Sequence, residues 1–180
     1  IVDEVQTGVG RTGTFLCCEH YNLKPDVVTL AKGLGGGLPI GAVLMNEKVA
    51  EGMTPGTHGS TFGGNPVVCA GANVVVDRMD QSFLANVNER AVQLRAGIAK
   101  LPHVKSISGI GLMVGIEFYD VKAADVLAAC REEGLLVLTA KTRLRLLPPL
   151  TLSEHEVDMA LDILGDVLRK MEPAAPKEQA

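Results

Sequence analysis

The spacing of apolar positions changes character near residue 80. Before it, short β-branched runs alternate with glycine-rich segments. Ile1-Val2-Asp3-Glu4 reads as the end of a buried strand. Val27 to Ala31, following Pro25-Asp26, reads as a second buried strand, and Ile40 to Met45 as a third. Asn46-Glu47-Lys48 ends that strand, and a short helix carries Val49 and Met53. Thr54 to Asn65 holds glycine and proline throughout and predicts a loop. Asn65 is a good N-cap and Pro66 a good first helical residue, which predicts a helix over 66–79. Gly71 weakens that helix by about 1 kcal/mol relative to alanine but permits close packing.

After residue 80 helices and strands alternate regularly. Leu84, Val87, Ala91, Leu94 and Ile98 mark a helix over 82–101. Val104 to Ser108 and Leu112 to Tyr119 predict strands about a Gly109-Ile110-Gly111 turn. A helix over 122–133 stops at Gly134. Strands are expected over 135–139 and 144–147, the latter ended by Pro148-Pro149. Ser153, with Glu156 three residues on, predicts a capping box for a last helix striped by Val157, Ala160, Leu161, Leu164 and Leu168. The expected division is therefore a first part over 1–80, a smaller α/β domain over 81–175 and a tail over 176–180. The opening at Ile1, with no initiator methionine, leads to the expectation of a fragment whose N-terminal portion is missing.

Composition narrows the function classes. The 180 residues are 47% hydrophobic and 21% charged, as in an ordinary globular protein. A net charge of −4 without a run of five like charges argues against a nucleic-acid or anionic-membrane surface. Aromatic residues make up 3%, too few for a base-stacking platform. No stretch of about 18 apolar residues predicts a membrane span, and no signal peptide is visible. Cys17, Cys18, Cys69 and Cys130 form neither a CxxC pair nor a metal-ligand spacing, so reduced cytoplasmic thiols are expected. His58 has no partner at ligand spacing, and no metal is expected.

Gly8 to Gly13 matches G-x-G-x-x-G, yet the setting is wrong for a dinucleotide site. Polar Glu4, Gln6 and Thr7 separate the strand end from Gly8, the segment after Gly13 lacks a helical period, and Asp26 lies too close. A glycine turn is expected. Lys32 is more informative. An ammonium at the end of a buried strand is costly, and a neutral amine there is a nucleophile toward aldehydes. The glycines after it leave room for a flat ring. Taken alone, Lys32 also reads as a lysine leaving a strand for solvent. Asp3, at the first strand end, suits a pyridinium nitrogen or, more commonly, a neighbouring arginine or lysine. Thr57 to Pro66 is a polar loop entering a helix, suited to phosphate or simply to capping. Arg145 on a short strand can clamp a carboxylate or pair with a surface acid, and Arg143 shares its face.

Four strings occur together and in order: DEVQTGVGRTG (Asp3 to Gly13), KPDVVTLAKGLGGGLPIGAVL (Lys24 to Leu44), PGTHGSTFGGNP (Pro55 to Pro66) and LRLLPPL (Leu144 to Leu150). They resemble the class-III, fold-type-I aminotransferases, and PGTHGSTFGGNP is most similar to the acetylornithine-using members. The resemblance implies an α/β fold: the C-terminal part of a large, mainly parallel-sheet domain followed by a smaller α/β domain. It implies pyridoxal 5'-phosphate as cofactor. Lys32 would bond it and shuttle a proton, and Asp3 would pair with the ring nitrogen. Glu4, Val5 and Gln6 would line the cofactor, with Val5 on the ring face and Gln6 near the phenolic oxygen. Thr61 would bind the phosphate of a neighbouring subunit, so a homodimer is implied, with Ser60 near the substrate. Arg145 would hold the α-carboxylate of glutamate or 2-oxoglutarate.

The implied reaction moves the δ-amino group of N2-acetylornithine to 2-oxoglutarate, as in arginine biosynthesis. The family's own-subunit phosphate loop, stacking aromatic and second substrate arginine would precede Ile1, so the chain alone is expected to be inactive, with exposed sheet edges. Other readings are an ornithine, succinylornithine or γ-aminobutyrate aminotransferase, a nicotinamide-dependent oxidoreductase built on Gly8 to Gly13, and an inactive interaction module.

Overall fold

The computed structural model describes residues 1–173, so the expected tail over 176–180 lies outside the described residues. The chain divides into two compact units, Ile1–Asn86 and a second from Val87.

The first unit is built on a three-stranded sheet of order β1-β2-β3, with β1 at Val2–Asp3, β2 at Val27–Leu30 and β3 at Ala42–Met45. β1 and β2 are parallel, with Val2 opposite Val28 and Asp3 opposite Thr29. β2 and β3 are antiparallel, with Leu30 opposite Ala42. Side chains alternate along β2: Val28 and Leu30 are buried, while Val27 and Thr29 are half-buried. Val28 and Leu30 join Val9, Leu34 and Ala72 in one core, edged by Phe15, Ile40 and Val75. β3 starts at Ala42 rather than at Ile40, because β2 ends at Leu30 and offers Ile40 no strand partner. Ile40 packs instead at the foot of the Lys32 turn, where a Cβ on Gly35 would lie 2.9 Å from its Cγ2. The expected burial of the first strand end is not found in this chain. Ile1 is 91% exposed, and Asp3 is exposed.

Two short 3-10 helices form in segments whose sequence predicts no helix. One covers Cys17–Tyr21 and the other Lys32–Gly35. Each is a tight, short turn, too brief to show a helical period. Helix α1 (Glu47–Ala50) is capped by the Asn46 side chain, which accepts from Val49 N–H, and it ends before Met53. Helix α2 (Pro66–Arg78) begins as its sequence predicts, with Asn65 accepting from the Val67 and Val68 amides. It packs on the Lys32 turn through small residues. A Cβ on Gly71 would meet Leu38 Cδ1 at 2.7 Å, and one on Gly36 would meet Val75 Cγ2 at 3.0 Å.

Helix α3 (Gln81–Ile98) leads into the second unit, whose sheet has order β4-β5-β7-β6 and is antiparallel throughout. The strands are β4 (Val104–Ser108), β5 (Val114–Phe118), β6 (Leu138–Ala140) and β7 (Arg143–Leu146). β5 alternates cleanly, with Val114, Ile116 and Phe118 buried and Gly115 and Glu117 on the other face. Helix α4 (Ala123–Glu132) packs against β6, β7 and helix α5 (Glu154–Lys170). β6 starts three residues later than the strand expected over 135–139. The Leu135 amide is already used, donating to Cys130 O at 2.8 Å, while Gly134 at φ 84 donates to Arg131 O. This pair of bonds closes α4 and delays sheet pairing until Leu138. No helix among the described residues is long and apolar enough to cross a membrane.

Candidate active site

Asp3 closes β1, and Lys32 lies two residues beyond the end of the parallel neighbour β2. Both therefore leave the sheet at the same, carboxyl end, which is where ligands settle in α/β sheets. A bend follows each strand at once. After β1, Val5 N–H folds back to donate to Asp3 Oδ1 at 2.9 Å, an Asx-type turn that orients the carboxylate. Across the pair, Thr29 Oγ1 donates to the same oxygen at 3.3 Å. Among the described residues no donor engages Oδ2. After β2, Lys32 takes a left-handed φ of 46° and begins the 3-10 turn that Leu34 N–H closes on Ala31 O. Lys32 is exposed, contrary to the buried setting expected for it. No hydrogen bond or ion pair among the described residues occupies its amine. The chain thus presents one primary amine and one half-satisfied carboxylate at the carboxyl end of one parallel strand pair.

That donor set fits pyridoxal phosphate. An aldehyde needs an accessible amine, and a pyridinium N–H needs a carboxylate oxygen that the chain has oriented but not consumed. Thr29 is the residue of this arrangement that the sequence reading missed. Its signal was available: it is the polar member of the alternation in Val27-Val28-Thr29-Leu30.

The remaining predicted residues are placed differently. Glu4 is 1% exposed. Its Oε1 accepts from Cys18 N–H at 2.8 Å, and its Oε2 accepts from the Thr7 hydroxyl. Both carboxyl oxygens are thus engaged inside the protein. Val5 and Gln6 are half-buried in the turn after β1. Ser60 and Thr61 lie in the exposed loop before α2, where Gly63 N–H donates to Ser60 O at 3.4 Å. No hydrogen bond brings either to Asp3 or Lys32. Gly8 to Gly13 forms turns, with Gly10 at φ 82 and Gly13 at φ 90. No α-helix opens on Gly13, so the dinucleotide arrangement is not formed.

In the second unit Arg145 and Arg143 line an open cavity of about 540 Å3 together with Ser108, Gly115, Glu117 and Lys141. Arg143 is already committed, donating to Glu117 Oε2 at 3.4 Å and Ser108 Oγ at 3.3 Å. Glu117 also accepts from Lys105 at 2.8 Å and from Ser106 at 3.1 Å. The Lys105 bond, with help from Ser106, holds the Glu117 carboxyl below the usual carboxylate range. Arg145 sits opposite Gly115 on β5, where a Cβ would meet Ser108 Oγ at 2.9 Å and Arg143 Cδ at 3.7 Å.

A family profile described as "Aminotransferase class-III" matches residues 1–168. The acetylornithine aminotransferase of Haemophilus ducreyi is 53% identical over 172 residues, covering 95% of this chain and 44% of its own length. That of Aquifex aeolicus is 47% identical over 169 residues, covering 93% and 44%. Among solved structures, N-acetylornithine aminotransferase from Stenotrophomonas maltophilia superposes with a TM-score of 0.82 at 36% identity, covering 93% of this chain and 46% of that one. Ornithine aminotransferase from Toxoplasma gondii gives 0.85 at 34% identity, covering 93% and 42%. The chain thus spans under half the length of the relatives it matches.

Proposed function

The chain belongs to the class-III aminotransferase family, and from that premise we propose that it is part of a pyridoxal-phosphate transaminase whose cofactor is bonded by Lys32. The observation that carries the reading is that the unoccupied Lys32 amine and the oriented Asp3 carboxylate follow neighbouring parallel strands at the same carboxyl end. Residues 1–80 act as part of the cofactor-binding large domain, and 81–175 as the small domain. When bound, the cofactor supplies an electron sink for charge that develops at the substrate carbon. Lys32 holds the cofactor between turnovers and moves a proton at that carbon. Asp3 keeps a proton on the ring nitrogen, and Thr29 and the Val5 amide keep Asp3 aimed. Val5 packs on the ring face and Gln6 lies near the phenolic oxygen. Thr61 contributes to the phosphate site of a second copy in a homodimer, Ser60 lies near the substrate, and Arg145 clamps an α-carboxylate bidentately.

The amino donor is N2-acetylornithine and the acceptor 2-oxoglutarate, giving N-acetylglutamate 5-semialdehyde and glutamate. The identity to acetylornithine aminotransferases supports that choice. The four thiols are unpaired, which suits a reducing, cytoplasmic compartment. The 180-residue chain alone is expected to hold the cofactor weakly and to show no measurable turnover, a reading supported by its covering 44% of the Haemophilus ducreyi relative's length.

The test is borohydride reduction of the full-length protein with pyridoxal phosphate, followed by peptide mapping. The label is expected on the peptide containing Lys32 and should vanish in Lys32→Ala. A label on another lysine, or none, refutes the reading. Assays against acetylornithine, ornithine, succinylornithine and γ-aminobutyrate then rank the donors.

A further inference from the structure

The side chain next to Asp3 has a function the cofactor reading does not use. Glu4 is buried beneath the turn, its carboxyl accepting from two donors of its own chain, the Thr7 hydroxyl and the Cys18 amide. The bond to Cys18 spans 14 residues and closes the whole Gly8–Gly13 loop against the end of β1. Inside that closure Gly8 has no spare room. A Cβ there would lie 2.8 Å from Glu4 O and 2.8 Å from Leu30 Cδ2. The next residue, Val9, is 3% exposed and takes a left-handed φ of 54°. A β-branched residue is strongly disfavoured there and persists only where its surroundings impose it. Val9 shares a core with Leu34 of the Lys32 turn and lies beside Gly33, where an added Cβ would sit in ordinary contact, 3.7 Å from Val9 Cβ. Gly33 immediately follows Lys32, which has its own left-handed φ of 46°. Two residues with left-handed φ, Val9 and Lys32, thus belong to neighbouring turns that share one core, and the Glu4 carboxyl closes the loop that carries Val9.

We propose that Glu4 is a positioning residue: its buried carboxyl ties the strand end bearing Asp3 to the loop that backs the Lys32 turn, and so sets amine and carboxylate relative to each other. The claim rests on Lys32 and Asp3 being the cofactor residues. A glutamine can keep the clamp, with its carbonyl accepting from Cys18 N–H and its amide donating to Thr7 Oγ1. A leucine of similar size strands both partners.

The experiment compares Glu4→Gln, Glu4→Leu and Thr7→Val in the full-length protein with two readouts. In the cofactor-free protein, hydrogen exchange at the amides of Leu34 and Gly36 is expected to speed up in Glu4→Leu and to stay as in the unmodified protein in Glu4→Gln. In the protein loaded with pyridoxal phosphate, the pH midpoint of the cofactor absorption band should shift in Glu4→Leu, and kcat should fall by roughly ten- to a hundredfold. The KM for the amino donor should barely change, and Glu4→Gln should restore both values. If Glu4→Leu does not fold, Thr7→Val decides, with the same changes at smaller size. A lower melting temperature with unchanged exchange in the Lys32 turn and an unchanged band midpoint overturns the proposal. An unmodified protein that shows no cofactor band overturns the cofactor reading instead, while the exchange measurement still judges the clamp.

Discussion

Thr29 and Asp3 face each other across the parallel pair β1–β2, and the Thr29 hydroxyl donates to the carboxylate oxygen that also receives the Val5 amide. One oxygen of Asp3 is thereby held by the chain and the other is left for a cation. Thr29→Val keeps shape and β propensity but removes the donor. The net worth of such a bond is about 1 kcal/mol, so kcat of the full-length protein should fall roughly fivefold, with KM for the amino donor nearly unchanged. Steady-state kinetics on the variant check this, and an unchanged kcat would show that Thr29 does not orient Asp3.

Gly109 lies between β4 and β5 at φ 98°, and an added Cβ would stand 1.9 Å from Met113 O. Backbone cannot yield as a side-chain tip can. Gly109→Ala should therefore destabilise the second unit by about 2–4 kcal/mol, from left-handed strain and the clash combined. Denaturant unfolding measures it. A loss within error of zero would mean that the turn rearranges freely.

Ser153 and Glu156 form a reciprocal cap on α5: the hydroxyl accepts from the Glu156 amide at 3.3 Å, and the Glu156 carboxylate accepts from Ser153 N–H at 2.7 Å. Ser153→Ala should cost about 1 kcal/mol. The Ser153 amide, then its hydroxyl, hold the Glu156 carboxyl below the ordinary carboxylate range. A depressed carboxylate stabilises the fold above its unfolded value and loses that contribution as pH falls through the folded one. The stability margin of the unmodified protein over Glu156→Gln should therefore shrink on acidification below that range. A margin that grows with acid would contradict the capping geometry.

Cys130 is fully buried on α4, and burial pushes its thiol from 9.0 to about 11. Its neutral form is favoured in the fold, so its contribution is complete below 9.0 and declines as pH rises from 9.0 toward about 11. The stability difference between the unmodified protein and Cys130→Ala should therefore narrow across that window. Alkylation at neutral pH should label half-buried Cys17 before Cys130. Rapid labelling of Cys130 would mean that α4 opens far more readily than its packing implies.

Which parts were legible in the residues follows from how far each interaction reaches. The Asn65 cap, the Ser153–Glu156 box and the stop at Gly134 act within a few residues, and the structure has all three as the sequence predicts. Strand starts were less legible. β6 depends on the Leu135 amide being consumed by α4, and β3 depends on where β2 ends.

The candidate site divides the same way. Lys32 and Asp3 are candidates by residue type, yet each alone also reads as an ordinary strand-end residue, and what singles them out is the resemblance of four strings in order. That the two leave the sheet at the same carboxyl end depends on the parallel register of β1 with β2. That Glu4 is a buried clamp depends on Cys18 arriving from 14 residues away. Such pairings are chosen by the packing of Val9, Val28, Leu30 and Leu34 into one core. Core packing is a collective property of distant residues, and no local pattern encodes it.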